Sequence, residues 1–152
     1  MLKSLHVENL TVFTNADFTF GKNLNVIIGE NGTGKSHVLK AAYTPIAVSA
    51  ARPQEGGGRL NFTKATLQLV LAQKLQAVFR PDGLWRLVHR KAGRGKCVLN
   101  YEFDRSTLNL KFSFSTVART EVSVQNLPTR LIEPRQQNLW VNSLGSGSFP
   151  KL

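Results

Sequence analysis

One eight-residue segment near the N-terminus constrains this chain more than any other feature. Residues 29–36 read Gly-Glu-Asn-Gly-Thr-Gly-Lys-Ser and match the pattern G-x-x-x-x-G-K-[ST] at every fixed position. The apolar run 24–28 before this segment predicts a buried strand, and residues 36–42 after it predict the start of a helix. Backbone N–H groups and the helix dipole would then face one ligand. The segment therefore predicts a phosphate-binding loop.

Each residue type in this loop has a chemical reason to be there. Glycines permit backbone conformations that bring N–H groups close to phosphate oxygens. Lys35 is expected to reach the β- and γ-phosphates, and the Ser36 hydroxyl is expected to hold Mg²⁺. The predicted nucleotide-binding residues are Gly29, Glu30, Asn31, Gly32, Thr33, Gly34, Lys35 and Ser36. Many folds carry such a loop, so it indicates nucleotide binding without indicating a family.

The composition bounds the class of protein. With 152 residues, of which 41% are hydrophobic, the chain is one domain with a real core or part of a larger domain. Its apolar runs fall well short of the roughly 20 residues of a membrane span, and its charged N-terminus does not resemble a signal peptide. A lone cysteine, Cys97, excludes an intrachain disulfide and favours a cytoplasmic location. We interpret Cys97 as a small core residue.

The charge is strongly basic, with 20 Lys and Arg against 9 Asp and Glu and a net charge of +11. Such an excess suits a polyanion such as DNA, but it is also compatible with a basic solvated surface or with an acidic part supplied elsewhere. One basic segment surrounds Trp85. It could grip a nucleic acid, although we favour a solvated helix end with Trp85 packed inward. Its cations are Arg80, Arg86, Arg90, Lys91, Arg94 and Lys96.

Hydrophobic periodicity predicts two short strands and a helix in the N-terminal part. Strands are expected at residues 7–10 and 16–20, joined by a turn near Thr14 and Asn15. The helix after the loop is expected to be kinked or ended by Pro45. Its buried face is expected to comprise Val38, Leu39, Ala42 and Ile46.

The C-terminal part begins with a second helix, predicted over residues 64–79 with Leu67, Leu71, Leu75 and Val78 in the core. A hairpin should follow, turning at 104–107 between strands 97–103 and 108–114, with a third strand at 120–124. From 132 to 152 the periodicity is lost. We therefore expect one lobe over residues 1–131, followed by a weakly structured tail, or a truncated or frame-shifted end, over residues 132–152.

The order of these features resembles the opening of the ABC-type P-loop ATPases of the SMC and RecF kind. Members of that family open with a strand ending in an acidic or basic residue before Asn, here Glu8-Asn9, then a Phe-Gly turn, here Phe20-Gly21, then G-x-N-G-x-G-K-[ST]. The resemblance is close over roughly residues 1–50 and topological over 59–127. It implies an α/β fold, a P-loop NTPase N-terminal lobe with an antiparallel β subdomain. It also implies ATP and Mg²⁺ as cofactors, and a role in DNA maintenance or anti-phage defence.

The resemblance has limits that bear on activity. The family's Walker B motif, an apolar strand ending in Asp-Glu, has no counterpart, and the signature motif is absent; residues 144–148 read as linker. Phe13 lies where the family packs residues near the adenine, but a core role is equally compatible. The chain is therefore expected to bind ATP without hydrolysing it alone, and a homodimer or partner subunit would have to supply the missing motifs. The alternatives are a non-catalytic basic nucleic-acid-binding protein and, less favoured in so acid-poor a chain, a small-molecule kinase.

Overall fold

The computed structural model describes residues 1–50, 63–90 and 95–129. They form a mixed α/β arrangement with one antiparallel sheet, which confirms the expected fold class. The elements in chain order are β1 (Leu2–Leu10), β2 (Phe13–Thr19), α1 (Lys35–Ala50), α2 (Lys64–Phe79), β3 (Lys96–Phe103), β4 (Leu110–Ser115) and β5 (Ser123–Asn126), with short 3₁₀ helices at Leu84–Leu87 and Ser106–Leu108. The predicted tail 132–152 lies outside the described residues.

The sheet has the strand order β2-β1-β3-β4-β5, and every neighbouring pair is antiparallel. Alternate residues of each strand point to one face, as the period of two requires. On that face Leu5, Tyr101, Phe112 and Val124 are almost fully buried. The buried residues of α1 and α2 belong to the same core, so both helices cover this face. The predicted hairpin of β3 and β4 is confirmed, and so is the burial of Cys97.

Strand β1 departs from strict alternation, because its buried residues are Leu2, Leu5, Val7 and Leu10. The register with β3 shifts between Leu2 and Ser4, which moves Leu2 onto the buried face. At the other end Asn9 adopts a positive φ of 51°, which turns Leu10 inward. The reversal into β2 then falls at Thr11 and Val12. The turn predicted near Thr14 and Asn15 was wrong, because those residues lie within β2.

Helix α2 has the predicted bounds. Thr63 caps its N-terminus by accepting a hydrogen bond from the Thr66 N–H at 3.2 Å. Arg80 ends it in the left-handed region with φ 56°, and its N–H donates to Gln76 O at 2.8 Å. The predicted core residues Leu67, Leu71 and Leu75 are buried, and Val78 is half-buried.

Helix α1 differs from the sequence prediction in two ways. It continues through Pro45 to Ala50. Proline lacks the N–H that would bond the carbonyl four residues earlier, at Ala41, and the buried Tyr101 hydroxyl donates to that carbonyl at 3.0 Å instead. The face assignment was also wrong in part: Val38 is buried, whereas Leu39 and Ile46 are 58% and 43% exposed.

The predicted buried strand at residues 24–28 is the largest correction. These residues pair with no strand in the described part of the chain, and Leu24, Val26 and Ile28 are 82%, 71% and 87% exposed. Asn25 stabilises the turn before them by accepting from the Gly21 N–H at 2.6 Å and donating to Gly21 O at 3.1 Å. The segment therefore has the composition of a buried strand without the neighbours that would bury it.

Candidate phosphate-binding loop

Residues 29–36 connect the exposed segment 24–28 to the first turn of α1. The loop is drawn closed by Lys35, whose ammonium donates to the carbonyls of Gly29 at 2.7 Å and Glu30 at 2.6 Å. The Thr33 hydroxyl donates to Glu30 O at 2.9 Å. A single cation and a single hydroxyl thus fold the backbone into a ring that encloses the space beside the start of α1.

Glycine is required in this ring at two positions in particular. Gly32 and Gly34 have φ of +84° and +91°, a region that L side chains rarely adopt. Gly34 then opens α1, because its carbonyl accepts from the His37 N–H at 2.9 Å and the Val38 N–H at 3.0 Å. No acidic residue lies in the first helical turn. The positive end of the helix dipole is therefore left available to an anion.

The two glycines differ in what surrounds them. A Cβ on Gly32 would meet nothing within 4 Å, whereas a Cβ on Gly34 would lie 2.5 Å from Val12 Cγ2 and 2.6 Å from Phe13 Cζ. The turn between β1 and β2 therefore packs directly against the loop. Phe13 also packs edge-to-face on Phe18, with ring centroids 5.5 Å apart. These contacts support the packing interpretation of Phe13, and its role near a nucleotide base stays a prediction.

The predicted ligand residues differ in exposure in a way that suits their expected roles. Ser36 is exposed at the start of α1, and Glu30, Asn31 and Thr33 are exposed around the rim of the ring. Lys35 is half-buried because its side chain lies across the loop. The described residues contain no group of three or more His, Cys, Asp or Glu that could hold a metal ion by itself.

His37 lies in the first turn of α1, directly after the loop. It is half-buried, with its ring 5.9 Å from the Phe79 ring, and its Nδ1 has no hydrogen-bond partner among the described residues. Burial lowers the pKa of His37, and the neighbouring Lys40 lowers it further. A neutral imidazole is therefore favoured beside the loop at neutral pH.

The basic segment also differs from our preferred interpretation. Trp85 is 38% exposed, so it is not packed inward, and the Arg86 guanidinium lies 4.9 Å from its ring centroid. Arg80 and Arg119 are also exposed. Arg119 lies beside the 3₁₀ helix that contains Trp85, because the Leu84 N–H donates to Arg119 O at 3.0 Å. Lys91 and Arg94 lie outside the described residues. The result is an exposed basic edge with an aromatic ring, defined by Arg80, Trp85, Arg86 and Arg119.

Sequence reasoning missed the residues that support the loop from behind. His89 belongs to no sequence motif, yet its Nδ1 lies 2.6 Å from the carbonyl oxygen of Thr11, in the turn that packs on Gly34. The two residues are 78 positions apart. A motif search has no signal for such a contact, because neither residue belongs to a pattern.

Comparison with known proteins finds relatives of this chain, most clearly of its N-terminal part. An AAA-domain family model matches residues 4–42. Over 42 residues the chain is 45% identical to the DNA double-strand break repair Rad50 ATPase of Methanosarcina mazei, covering 28% of this chain and 4% of that protein. Two longer matches are each 26% identical. They are structural maintenance of chromosomes protein 6 of Dictyostelium discoideum, over 95% of this chain and 13% of that protein, and the DNA repair protein RecN of Mycobacterium leprae, over 90% and 25%.

The chain spans a quarter or less of the length of these three relatives. A solved structure from work on the ATP-driven dimerization and DNA-stimulated activation of SMC ATPases superimposes on this chain with a TM-score of 0.49 at 10% identity. The superposition covers 82% of this chain and 69% of that one. No helix in the described ranges combines the length and the apolar character needed to cross a membrane. The family model and the relatives agree with the motif order read from the sequence: residues 4–42 carry the N-terminal motif of the SMC/RecF-like ABC-type P-loop ATPases, and the longer matches extend that similarity along the chain.

Proposed function

We propose that residues 29–36 bind ATP as its Mg²⁺ complex, and that residues 1–131 form the N-terminal lobe of an SMC/RecF-like ATPase that works in DNA maintenance. The observation that carries the proposal is the closed ring of the loop, with glycines at positive φ and the Lys35 ammonium beside the start of α1. The chemistry of the donor set fits a triphosphate. Lysine and backbone N–H groups suit phosphate oxygens, and a serine hydroxyl suits a hard cation.

In this proposal each group has a separate task. Lys35, which donates to two carbonyls of its own loop, would exchange them for the β- and γ-phosphate oxygens. The N–H groups at the start of α1 would donate to the same phosphates. Ser36 would hold Mg²⁺, which when bound neutralises charge on the β- and γ-phosphate oxygens. Replacing one set of Lys35 partners by another keeps the ammonium paired in both states.

The test is isothermal titration calorimetry with Mg-ATP. Lys35→Ala should abolish binding, because the phosphates would lose their fixed cation. Lys111→Ala is the matched control: it removes the same charge from an exposed position on β4, remote in sequence from the loop. Equal affinity in the wild type and Lys35→Ala would remove the proposal. An equal loss of affinity in Lys111→Ala would mean that binding depends on the net charge of the protein and not on a specific site at Lys35.

We further propose that the ATPase site is completed by a second polypeptide segment, from a partner subunit or a second copy, which adds β-strand to residues 24–28. Leu24, Val26 and Ile28 alternate along a segment that pairs with no strand in the described part of the chain, and each is more than 70% exposed. They line an open cleft of about 490 Å³ together with residues 17–19 of the edge strand β2 and Phe20 directly after it. Leu39 and Tyr43 on α1 are also more than half exposed. Exposed apolar side chains of this kind favour an interface, and a backbone segment that no described strand pairs with is a place where a strand could be added.

In this arrangement the chain alone forms only half of the ATPase site, which we call the half-site. The purified chain should therefore bind ATP without hydrolysing it. Phosphoryl transfer depends on positioned groups around the γ-phosphate, and the sequence has no Asp-Glu pair at a strand end to orient water. The measurement is phosphate release over a range of protein concentrations. Turnover near ~1 s⁻¹, the low end for enzymes, that disappears in Lys35→Ala would contradict the half-site. A second copy of this chain lacks the same motifs, so turnover should stay absent as the protein concentration rises.

A second candidate function is nucleic-acid binding at the basic edge, favoured by the exposure of Trp85 among Arg80, Arg86 and Arg119. Aromatic stacking and phosphate contacts by arginine are how single strands are held without sequence preference. In a Trp140→Phe background, quenching of Trp85 fluorescence by an oligonucleotide would report stacking directly. Binding that persists in Lys35→Ala and weakens with salt would separate this function from nucleotide binding. Unquenched Trp85 at saturating oligonucleotide would exclude this edge.

A further inference from the structure

The turn between β1 and β2 has an unusual backbone. Asn9 and Thr11 both adopt positive φ, of 51° and 49°, although neither is glycine. Such conformations cost of the order of 1–3 kcal/mol each and persist only where the surroundings enforce them. The Asn9 side chain donates from Nδ2 to Lys96 O at 3.1 Å, which ties the turn to the start of β3. Something must also hold the other side of the turn.

Residues 87–89 provide that second support. The Thr11 N–H donates to Leu87 O at 2.7 Å, and the His89 N–H donates to Asn9 O at 2.8 Å. Leu10 and Val88 form an isolated antiparallel bridge between these two bonds. Val88 is buried, so the segment is anchored in the core. The turn is therefore held as if by a short added strand.

His89 adds a side-chain hydrogen bond to this turn. Its Nδ1 lies 2.6 Å from Thr11 O. A carbonyl oxygen can only accept, so Nδ1 must carry the proton, as it does in the imidazolium and in one neutral tautomer. The bond restrains the carbonyl of the residue directly before Val12. Val12 and Phe13 are the residues that pack against Gly34 of the loop.

We propose that His89 is a positioning residue for the nucleotide loop. Its Nδ1–H fixes the Thr11 carbonyl, which keeps Val12 and Phe13 seated against Gly34. Gly34 in turn begins α1 by accepting from the N–H groups of His37 and Val38. The histidine thus acts on the loop through the turn, and it touches no ligand. Its effect on affinity rests on the proposed ATP binding, whereas its effect on the loop in the free protein does not.

The test compares His89→Asn with His89→Gln. Asparagine places an amide N–H near the position of Nδ1, so it can still donate to Thr11 O, whereas the glutamine amide extends toward the position of Nε2. Both substitutions are polar and uncharged, so they are matched in charge and donor type and differ in side-chain length and hence in donor position. His89→Gln should weaken Mg-ATP binding about two- to tenfold, the range for one hydrogen bond. His89→Asn should remain within about twofold of the wild type.

Amide hydrogen exchange in the absence of nucleotide supplies the independent readout. The N–H groups of His37 and Val38 should exchange faster in His89→Gln than in the wild type or in His89→Asn, while β3 and α2 amides stay unchanged. Faster exchange throughout the chain in His89→Gln would mean a general loss of stability and would overturn the positioning role. Equal behaviour of the two variants would overturn it as well. If the wild type fails to bind ATP, the proposed function fails, and the exchange comparison still decides the role of His89.

A double-mutant cycle checks the route of the effect. Val12→Ala removes the Cγ2 that lies nearest to the Gly34 position. If His89 acts through this contact, the loss caused by His89→Gln should be smaller in the Val12→Ala background than in the wild type. Fully additive losses would show that His89 reaches the loop by another route and would refute the proposed one.

Discussion

Substituting the two loop glycines by alanine separates backbone strain from packing. Gly32 and Gly34 have nearly the same φ, +84° and +91°, so the backbone cost of adding a Cβ is similar at both and amounts to about 1–3 kcal/mol. Only Gly34 has neighbours. Its Cβ would lie 2.5 Å from Val12 Cγ2 and 2.6–2.8 Å from two carbons of the Phe13 ring. Overpacking of this kind costs a further 1–3 kcal/mol or so.

The two costs translate into different losses of ATP affinity. The loop can relieve the strain by leaving its ring conformation, and ATP must then restore that conformation on binding. At 1.4 kcal/mol per factor of ten, Gly32→Ala should weaken binding roughly five- to 150-fold. Gly34→Ala carries both costs and should weaken it by a further factor of the same size. The ratio between the two variants isolates the contact of the loop with the turn at Val12 and Phe13.

The assay is the Kd for Mg-ATP by calorimetry, with the unfolding free energy measured in urea as a companion. The loop is exposed, so both variants should unfold within about 1 kcal/mol of the wild type if the loop yields locally. Equal losses of affinity at the two positions would refute the reasoning, because they would mean that Val12 and Phe13 do not constrain Gly34. A large loss of folding stability in Gly34→Ala alone would locate the strain in the core instead of the loop.

Three further outcomes follow from the described contacts. The hydrogen bond to Asp17 raises the pKa of His6 in the folded protein. The stabilisation that protonated His6 gives the fold should therefore be fully present below about pH 6.5 and lost as the pH rises through the folded-state pKa. In His6→Gln, the free energy of unfolding measured in urea should lose this pH dependence. Burial raises the pKa of the Cys97 thiol, so a thiol reagent should label it only in urea, and rapid native labelling would contradict its burial. Tyr101→Phe should lower the free energy of unfolding by about 1–3 kcal/mol, because the buried Ala41 carbonyl loses its donor. The loss should be much smaller in a Pro45→Ala background, where residue 45 again has an N–H to donate to that carbonyl.

The parts of the fold that the sequence predicted well are those with local causes. Helix α2 begins after a capping threonine, repeats leucine at helical spacing and ends before Pro81, so each signal lies within the segment it describes. The hairpin of β3 and β4 is similar, because alternation and a short turn suffice to define it. In residues 29–36 the structure shows the predicted glycine conformations and the predicted helix start for the same reason, whereas phosphate binding there stays a prediction. The pattern of this loop consists of residue types that the local backbone and the ligand chemistry require.

The parts that were missed depend on neighbours distant in sequence. Residues 24–28 have the composition of a buried strand. Composition shows only that a segment favours burial, and it does not identify the strand or surface that would cover it. Leu39 and Ile46 were assigned to the buried face because α1 is apolar on more than one side, and periodicity alone cannot rank two apolar faces. The contact of His89 with Thr11 spans 78 residues and involves no repeated pattern.

The support of the loop is separate from the burial of residues 24–28. The ring of the loop is held from within by Lys35 and Thr33 and from behind by Val12 and Phe13. Nothing in that support requires the exposed face of residues 24–28 to be covered. Binding and turnover should therefore separate: the first depends on contacts that the described chain makes for itself, and the second on groups that a completing segment would bring. The exposed apolar side chains at 24, 26 and 28 then have a thermodynamic role. Their burial, at roughly 25 cal/mol per Å² of apolar surface, would favour association with that segment next to the loop.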